Sequence, residues 1–176
     1  MLFIIVGPRF LGTTVQPKGI QMDLNPDWEC VTDTVMGGVS KAHVETTAYN
    51  GRQATRLRGE VSLDNNGGFV QMAFDVAEGG GTLDASSFEG IQLDVWGDAE
   101  VYDLRLRTDQ LEEPWHSYRA DFMAKPEWHC IHIPFADIRP HRTAIPFAPA
   151  RLRRIGVLAI GRAFHADIAI SGVRLI

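Results

Sequence analysis

The chain has 176 residues, 45% of them hydrophobic and 22% charged, which suits a folded domain with one buried core and excludes a chain too polar to collapse. Seventeen Lys and Arg against twenty-two Asp and Glu leave a net charge of −5, so the broad positive field that nucleic-acid backbones require is absent and a nucleic-acid partner is not expected. Two cysteines, Cys30 and Cys130, are too few for a disulfide framework; they read as small buried hydrophobes, with a single bridge between them left open.

In chain order, the first run, Met1–Val6, is apolar but lacks a basic start, and Gly7-Pro8 cuts it far short of membrane-spanning length. Residues 1–20 are assigned to a leader or an edge strand, and 21–176 to a single β-sandwich domain. No later segment reaches spanning length and no Arg-rich transit segment leads the chain, so the expected location is cytoplasmic. Leu57, Val61 and Leu63 share one face of an alternating run, and Val70, Met72, Phe74 and Val76 share one face of the next. Between them lies Asp64-Asn65-Asn66-Gly67-Gly68, whose Asn and Gly residues tolerate positive φ, so a β-hairpin is expected across Leu57–Val76.

Ile91, Leu93 and Val95 alternate with Gln92, Asp94 and Trp96, and Tyr102, Leu104 and Leu106 alternate with Asp103, Arg105 and Arg107. Further strands are predicted at His116–Met123, His129–Phe135, Arg154–Ile160, Phe164–Ile170 and Val173–Ile176. The stretches Glu78–Glu89 and Ala136–Pro149, rich in glycine and proline respectively, read as surface loops. Many short strands with turn signals between them predict an all-β antiparallel sandwich or barrel.

The chemical motifs are weak. Gly37-Gly38 is not followed by Lys-Ser or Lys-Thr, and Gly67-Gly68 lacks the spaced third glycine of a dinucleotide turn, so turn geometry explains both pairs better than a phosphate cradle does. His129 and His132 lie three apart on a predicted strand and therefore point to opposite faces, away from a common metal ion. The serines sit in no nucleophile elbow and no triad can be assembled. The chain is accordingly read as a non-enzyme with no cofactor and no metal.

Arg105 and Arg107 project from the polar side of their strand. An unpaired buried guanidinium is too costly, so they are expected to be solvated, paired with an acid such as Asp94 or Asp121, or lining a pocket. Trp28 and Trp128 read as core or core-edge packing. Trp96 on a polar strand face and Trp115 in a loop are placed to stack on a sugar or to anchor a partner.

Trp28 followed by Asp33-Thr34-Val35-Met36-Gly37-Gly38-Val39-Ser40 resembles the signature of the complex I intermediate-associated protein 30 family. The likeness continues through Gly59–Phe69, Tyr102–Arg107, Ser117–Phe122, Trp128, Ile133-Pro134-Phe135 and Ile155-Gly156-Val157 to the C-terminus. It departs at Arg142-Thr143, where the family's pattern is Arg-Gly. The resemblance implies a jelly-roll sandwich similar to galactose-binding-like domains, a scaffold used mainly for binding, and in eukaryotes a role in assembling respiratory complex I. On that basis the expected function is a binding or assembly-factor domain that engages a protein partner, such as a respiratory-complex subunit or intermediate. Its candidate residues are Asp33, Met36, Gly37, Gly38, Asn65, Asn66, Gly67, Gly68, Arg105 and Arg107. The alternative is a carbohydrate-binding module, for which Trp96, Trp115 and Tyr118 supply ring faces.

Overall fold

The computed structural model describes residues 19–176, so the apolar Met1–Val6 run lies outside the described residues. Twelve strands follow in order: β1 (Met22–Leu24), β2 (Glu29–Thr32), β3 (Lys41–Tyr49), β4 (Arg52–Val61), β5 (Phe69–Asp75), β6 (Gly90–Trp96), β7 (Glu100–Thr108), β8 (Ser117–Ala124), β9 (His129–Pro134), β10 (Arg139–His141), β11 (Leu152–Ile160) and β12 (Phe164–Leu175). They form two antiparallel sheets. The first runs β3-β4-β12-β6-β9, with β1 beside the far end of β12; the second runs β10-β8-β7-β11-β5-β2. The expected all-β sandwich is present. No helix among the described residues is long and apolar enough to cross a membrane.

The core is what alternation puts between the layers. Leu57, Ile91, Leu93, Val95 and Ile168 from the first sheet meet Val70, Met72, Tyr102, Leu104, Leu106, Ile155 and Val157 from the second, all without solvent contact. Trp28 packs edge-on against Phe74 with ring centroids 4.8 Å apart, closing one margin of the core. Trp96 and Trp128 lie elsewhere, half-buried in a T-shaped cluster with Tyr49. The two segments predicted at Phe164–Ile170 and Val173–Ile176 are one strand, β12, whose register shifts between Ile170 and Gly172 as its neighbour β6 is passed.

The hairpin expected across Leu57–Val76 does not form. β4 pairs with β3 and β12 in the first sheet, whereas β5 pairs with β11 and β2 in the second. The Asp64–Gly68 turn is therefore an arch that carries the chain from one layer to the other. Alternation cannot distinguish the two, because both a hairpin and an arch turn the same apolar face toward the core. The hairpin of this region is β3–β4, closed by Asn50 and Gly51 with φ of 44° and 82°, the left-handed pair that a two-residue turn demands.

The cysteine reading is also corrected. Cys30 and Cys130 are both free and exposed. They sit on β2 and β9, the outermost strands of their sheets, where no further strand covers them among the described residues.

Candidate functional site

The Asp33–Ser40 segment leaves β2 in a single 3-10 turn capped by Gly37 at φ 86°, and its one acid turns inward. Asp33 is fully buried. Its carboxylate accepts from the Ser40 amide at 2.9 Å, the Ser40 hydroxyl at 2.5 Å, the Gly68 amide at 2.6 Å and the Phe69 amide at 3.3 Å. The Ser40 oxygen in turn accepts from the Ser62 amide at 2.9 Å. Burial pushes the Asp33 carboxyl up, but these donors outweigh it and hold its pKa below the ordinary carboxylate value.

The glycines follow from that latch. A Cβ on Gly38 would lie 2.3 Å from the Asp33 Cγ, and one on Gly67 would lie 2.4 Å from its Oδ2. Asn65 and Asn66 both adopt left-handed backbone, at φ 57° and 56°, so the arch can bend back onto the carboxylate. Asp33, Gly38, Gly67 and Gly68 thus come together as one structural device. Around it the two loops hold outward Val35, Met36, Val39 and Leu63, which are 71%, 62%, 42% and 50% exposed.

These side chains lie in the β2–β3 and β4–β5 connections between the layers, at the end of the sandwich where an apolar row crosses the second sheet's outer face. Met123 on β8 opposes Val101 on β7. Ile160 on β11 opposes Phe69 on β5, whose amide is fastened to Asp33. Leu158 opposes Asp103 one side-chain pair further along, so Val101 and Ile160 are neighbours as well. Val101 and Met123 are exposed; Ile160 and Phe69 are half-buried.

Toward the other end, the same face becomes ionic. Asp103 is buried, and its Oδ2 accepts from Arg105 Nε at 3.1 Å and Nη2 at 2.8 Å, while its Oδ1 accepts from Arg119 Nη2 at 3.1 Å. Arg105, only 9% exposed, also donates through Nη1 to the Ser117 hydroxyl at 2.9 Å. The expected acidic partner is therefore Asp103, two residues back on the same strand face, and neither Asp94 nor Asp121. Burial lowers the Arg105 pKa and the Asp103 carboxylate opposes that shift, with Arg119 and Arg142 adding to the lowering. Arg107 donates instead to backbone, bonding the carbonyls of Leu111, Glu113, Pro114 and His116. It thereby fixes the loop that holds Trp115, itself half exposed.

Tyr118 points the other way, into the core, with its hydroxyl donating to the Pro146 carbonyl at 3.2 Å. The glycine loops and Arg105 do not share a cavity. Asp33 lies in register beside Phe69, so three strand steps across the sheet and four residues along it separate the two groups, about 20 Å.

Sequence reasoning missed Val35, Val39, Leu63, Phe69, Val101, Met123 and Ile160 at the apolar end and Asp103, Ser117, Arg119 and His141 at the ionic end. Alternation carried part of the signal, since Val101, Asp103, Arg105 and Arg107 share one face of β7, and Ser117, Arg119, Asp121 and Met123 share one face of β8.

The model of the family described as Complex I intermediate-associated protein 30 matches residues 19–168. No curated protein matches the chain significantly. Among solved structures, the chain is similar to the family 11 carbohydrate-binding module of the cellulosomal cellulase Lic26A-Cel5E of Clostridium thermocellum, with a TM-score of 0.72 and 12% identity over 90% of this chain and 95% of that one. The same organism's family 11 module in complex with a β-1,3-1,4-mixed-linked tetrasaccharide gives 0.71 and 12%, over 89% and 95%. The family 30 module of its cellulase Cel9D-Cel44B gives 0.65 and 15%, over 89% and 97%. At such identities the likeness establishes the jelly-roll fold alone.

Proposed function

Because this chain belongs to the complex I intermediate-associated protein 30 family, we propose that it is a non-catalytic binding domain that docks a protein partner on the outer face of its second sheet, assembly intermediates of a respiratory complex being the partner class to which the family's description points. One observation carries the reading: a fully buried carboxylate with four donors is spent on fixing two loops whose outward residues, Val35, Met36, Val39 and Leu63, are apolar and exposed. Scattered surface hydrophobes are common, but these cluster at the end of the sandwich where Phe69, its amide fastened to Asp33, begins the apolar row, and such clustering is what interfaces cover. Met36 and Met123 add an adaptable thioether at either end of it.

A photo-crosslinker placed at Met36 should trap a defined partner that the same group placed at Glu45, on the first sheet, does not. Met36→Asp combined with Val101→Asp should abolish that capture while the melting temperature stays within a few degrees of wild type. Retention of every partner by the double variant would refute the proposal.

A second reading, carbohydrate recognition, is favoured by Trp115, whose loop is held rigid by the four carbonyl bonds of Arg107. Mixed-linked β-glucan oligosaccharides should then quench or shift tryptophan emission in wild type and not in Trp115→Ala. Unchanged emission across a millimolar titration would dismiss it.

A further inference from the structure

We infer that the ionic end of this face is an anion-binding site, built by Arg105, Arg119, Arg142, His141 and Ser117, that takes the carboxylates of an acidic segment of the docked protein. The inference rests on the partner-binding reading and names the chemistry the partner must carry there.

Strand register assembles the site. Arg139 on β10 opposes Arg119 on β8, and Arg119 opposes Arg105 on β7, so three guanidiniums stand in one row across three strands on the outer face. His141 opposes Ser117 one side-chain pair further along. Arg142, at a left-handed φ of 57°, follows immediately and lies close enough to lower the pKa of both His141 and Arg105. The acids on this part of the face are Asp103, already shared by Arg105 and Arg119, and Asp121, which opposes Asp103. Four arginines against two aspartates leave two positive charges in excess, on a chain whose net charge is −5.

Two of the four arginines are held in place before any ligand arrives. Asp103 clamps Arg105 and Arg119 from below, and Ser117 Oγ accepts from Arg105 Nη1. Three of the five N–H groups of Arg105 are thereby engaged, which leaves one on each Nη for an incoming acceptor, and the Ser117 hydroxyl keeps its own proton to donate. Fixed guanidiniums of this kind bind carboxylates by paired hydrogen bonds and lose little side-chain entropy in doing so. Burial depresses the His141 pKa first, then Arg105, Arg119 and Arg142 depress it further, with Asp103 alone opposing. His141 is therefore neutral at neutral pH, and an anion seated among these groups would relieve the repulsion and raise its pKa.

The row lies on the same face as the apolar patch, four residues along β7 and β8 from Val101 and Met123 or about 13 Å, within reach of one extended partner segment. That continuity favours a polypeptide carrying Asp or Glu over a free ion or an acidic glycan.

The test uses the whole chain, followed by NMR with a ten-residue glutamate peptide as probe, and inorganic phosphate and oligogalacturonate as the other anion sources. The peptide should shift the amides of Ser117, Arg119 and His141, raise the His141 pKa, and lose affinity as salt rises from about 0.05 M to about 0.5 M. Arg119→Gln with Arg142→Gln, the first half-buried and the second exposed, leaves the Asp103–Arg105 pair in place and should weaken binding about tenfold or more. The inference is overturned if the peptide leaves these resonances unmoved at low salt, if the double variant binds it as tightly as wild type, or if phosphate or oligogalacturonate binds more tightly than the peptide. Loss of partner capture in Met36→Asp/Val101→Asp reports on the apolar patch alone, so either reading can fail without the other.

Discussion

Removing the Asp33 carboxylate should cost this protein more than any change to the exposed side chains it supports. In Asp33→Ala the Ser40 amide, at 2.9 Å, and the Gly68 amide, at 2.6 Å, lose their acceptor in a place solvent does not reach. At ~1.5–3 kcal/mol for each hydrogen bond to a charged group, those two amides alone amount to about 3–6 kcal/mol. The Ser40 hydroxyl can turn to the Ser62 carbonyl, 3.3 Å away, and recover part of its own loss. Against a total stability of roughly 5–15 kcal/mol, such a loss is large enough to read directly from urea unfolding followed by tryptophan emission.

The same carboxylate gives a pH signature. Its folded pKa lies below its ordinary value, because the donors outweigh burial. Its contribution is therefore fully present above the unfolded pKa of about 4 and is lost as pH falls through the folded value. The stability difference between wild type and Asp33→Asn should accordingly be constant from neutral pH down to about 5 and shrink below about 4. A cost for Asp33→Ala below about 1 kcal/mol, or a difference from Asp33→Asn that ignores pH, would refute the assignment of this acid as the latch of both loops.

Gly38→Ala clashes mainly with the Asp33 carboxyl group, so its cost of about 1–3 kcal/mol should fall in an Asp33→Ala background, where only the Cβ at 2.8 Å remains in the way, whereas Gly37→Ala, at φ 86° with open space around it, should add independently in a double-mutant cycle. Arg107→Met removes the donor to four carbonyls and should speed proteolytic cleavage between Leu111 and His116 well before global unfolding, as limited digestion with mass spectrometry would detect. Cys30 and Cys130 should both be alkylated in the native protein, yet slowly at neutral pH and faster as pH approaches and passes 9, since burial raises both thiols and Asp94 raises Cys130 further.

The strands were legible because a half-buried strand repeats every two residues whatever its neighbours are, and Ile91–Val95 and Tyr102–Arg107 needed nothing more. Which strands pair was not legible at Leu57–Val76, since the arch and the hairpin share one apolar pattern. Asn50-Gly51 carried the stronger hairpin signal and marks the turn that forms. Asp33 was singled out in the sequence, but nothing adjacent to it betrays burial. Its donors come from Ser40 and from Gly68, thirty-five positions away, and only the sandwich brings them together. Of the three outcomes open for Arg105, pairing with an acid is the one found, and the acid is Asp103, which alternation alone places on the same face. Tyr118 falls on the opposite phase of β8 from Arg119, so its neighbour, and not the aromatic ring, reaches the surface.

The arch gives the latch its wider consequence. Had Asp64–Gly68 closed a hairpin, Asp33 would have fastened one loop to a turn within a single sheet, and the exposed apolar residues could have swung with it. Because the turn crosses between layers, the bonds from Ser40 and Gly68 tie the exit of β2 in the second sheet to the entry of β3 and the end of β4 in the first. The seam between the layers and the display of Val35, Met36 and Leu63 are then one structure, and moving either strains the other. A partner that docks there meets side chains whose backbone is already ordered, so association forfeits little loop entropy and its affinity depends on what the patch contacts.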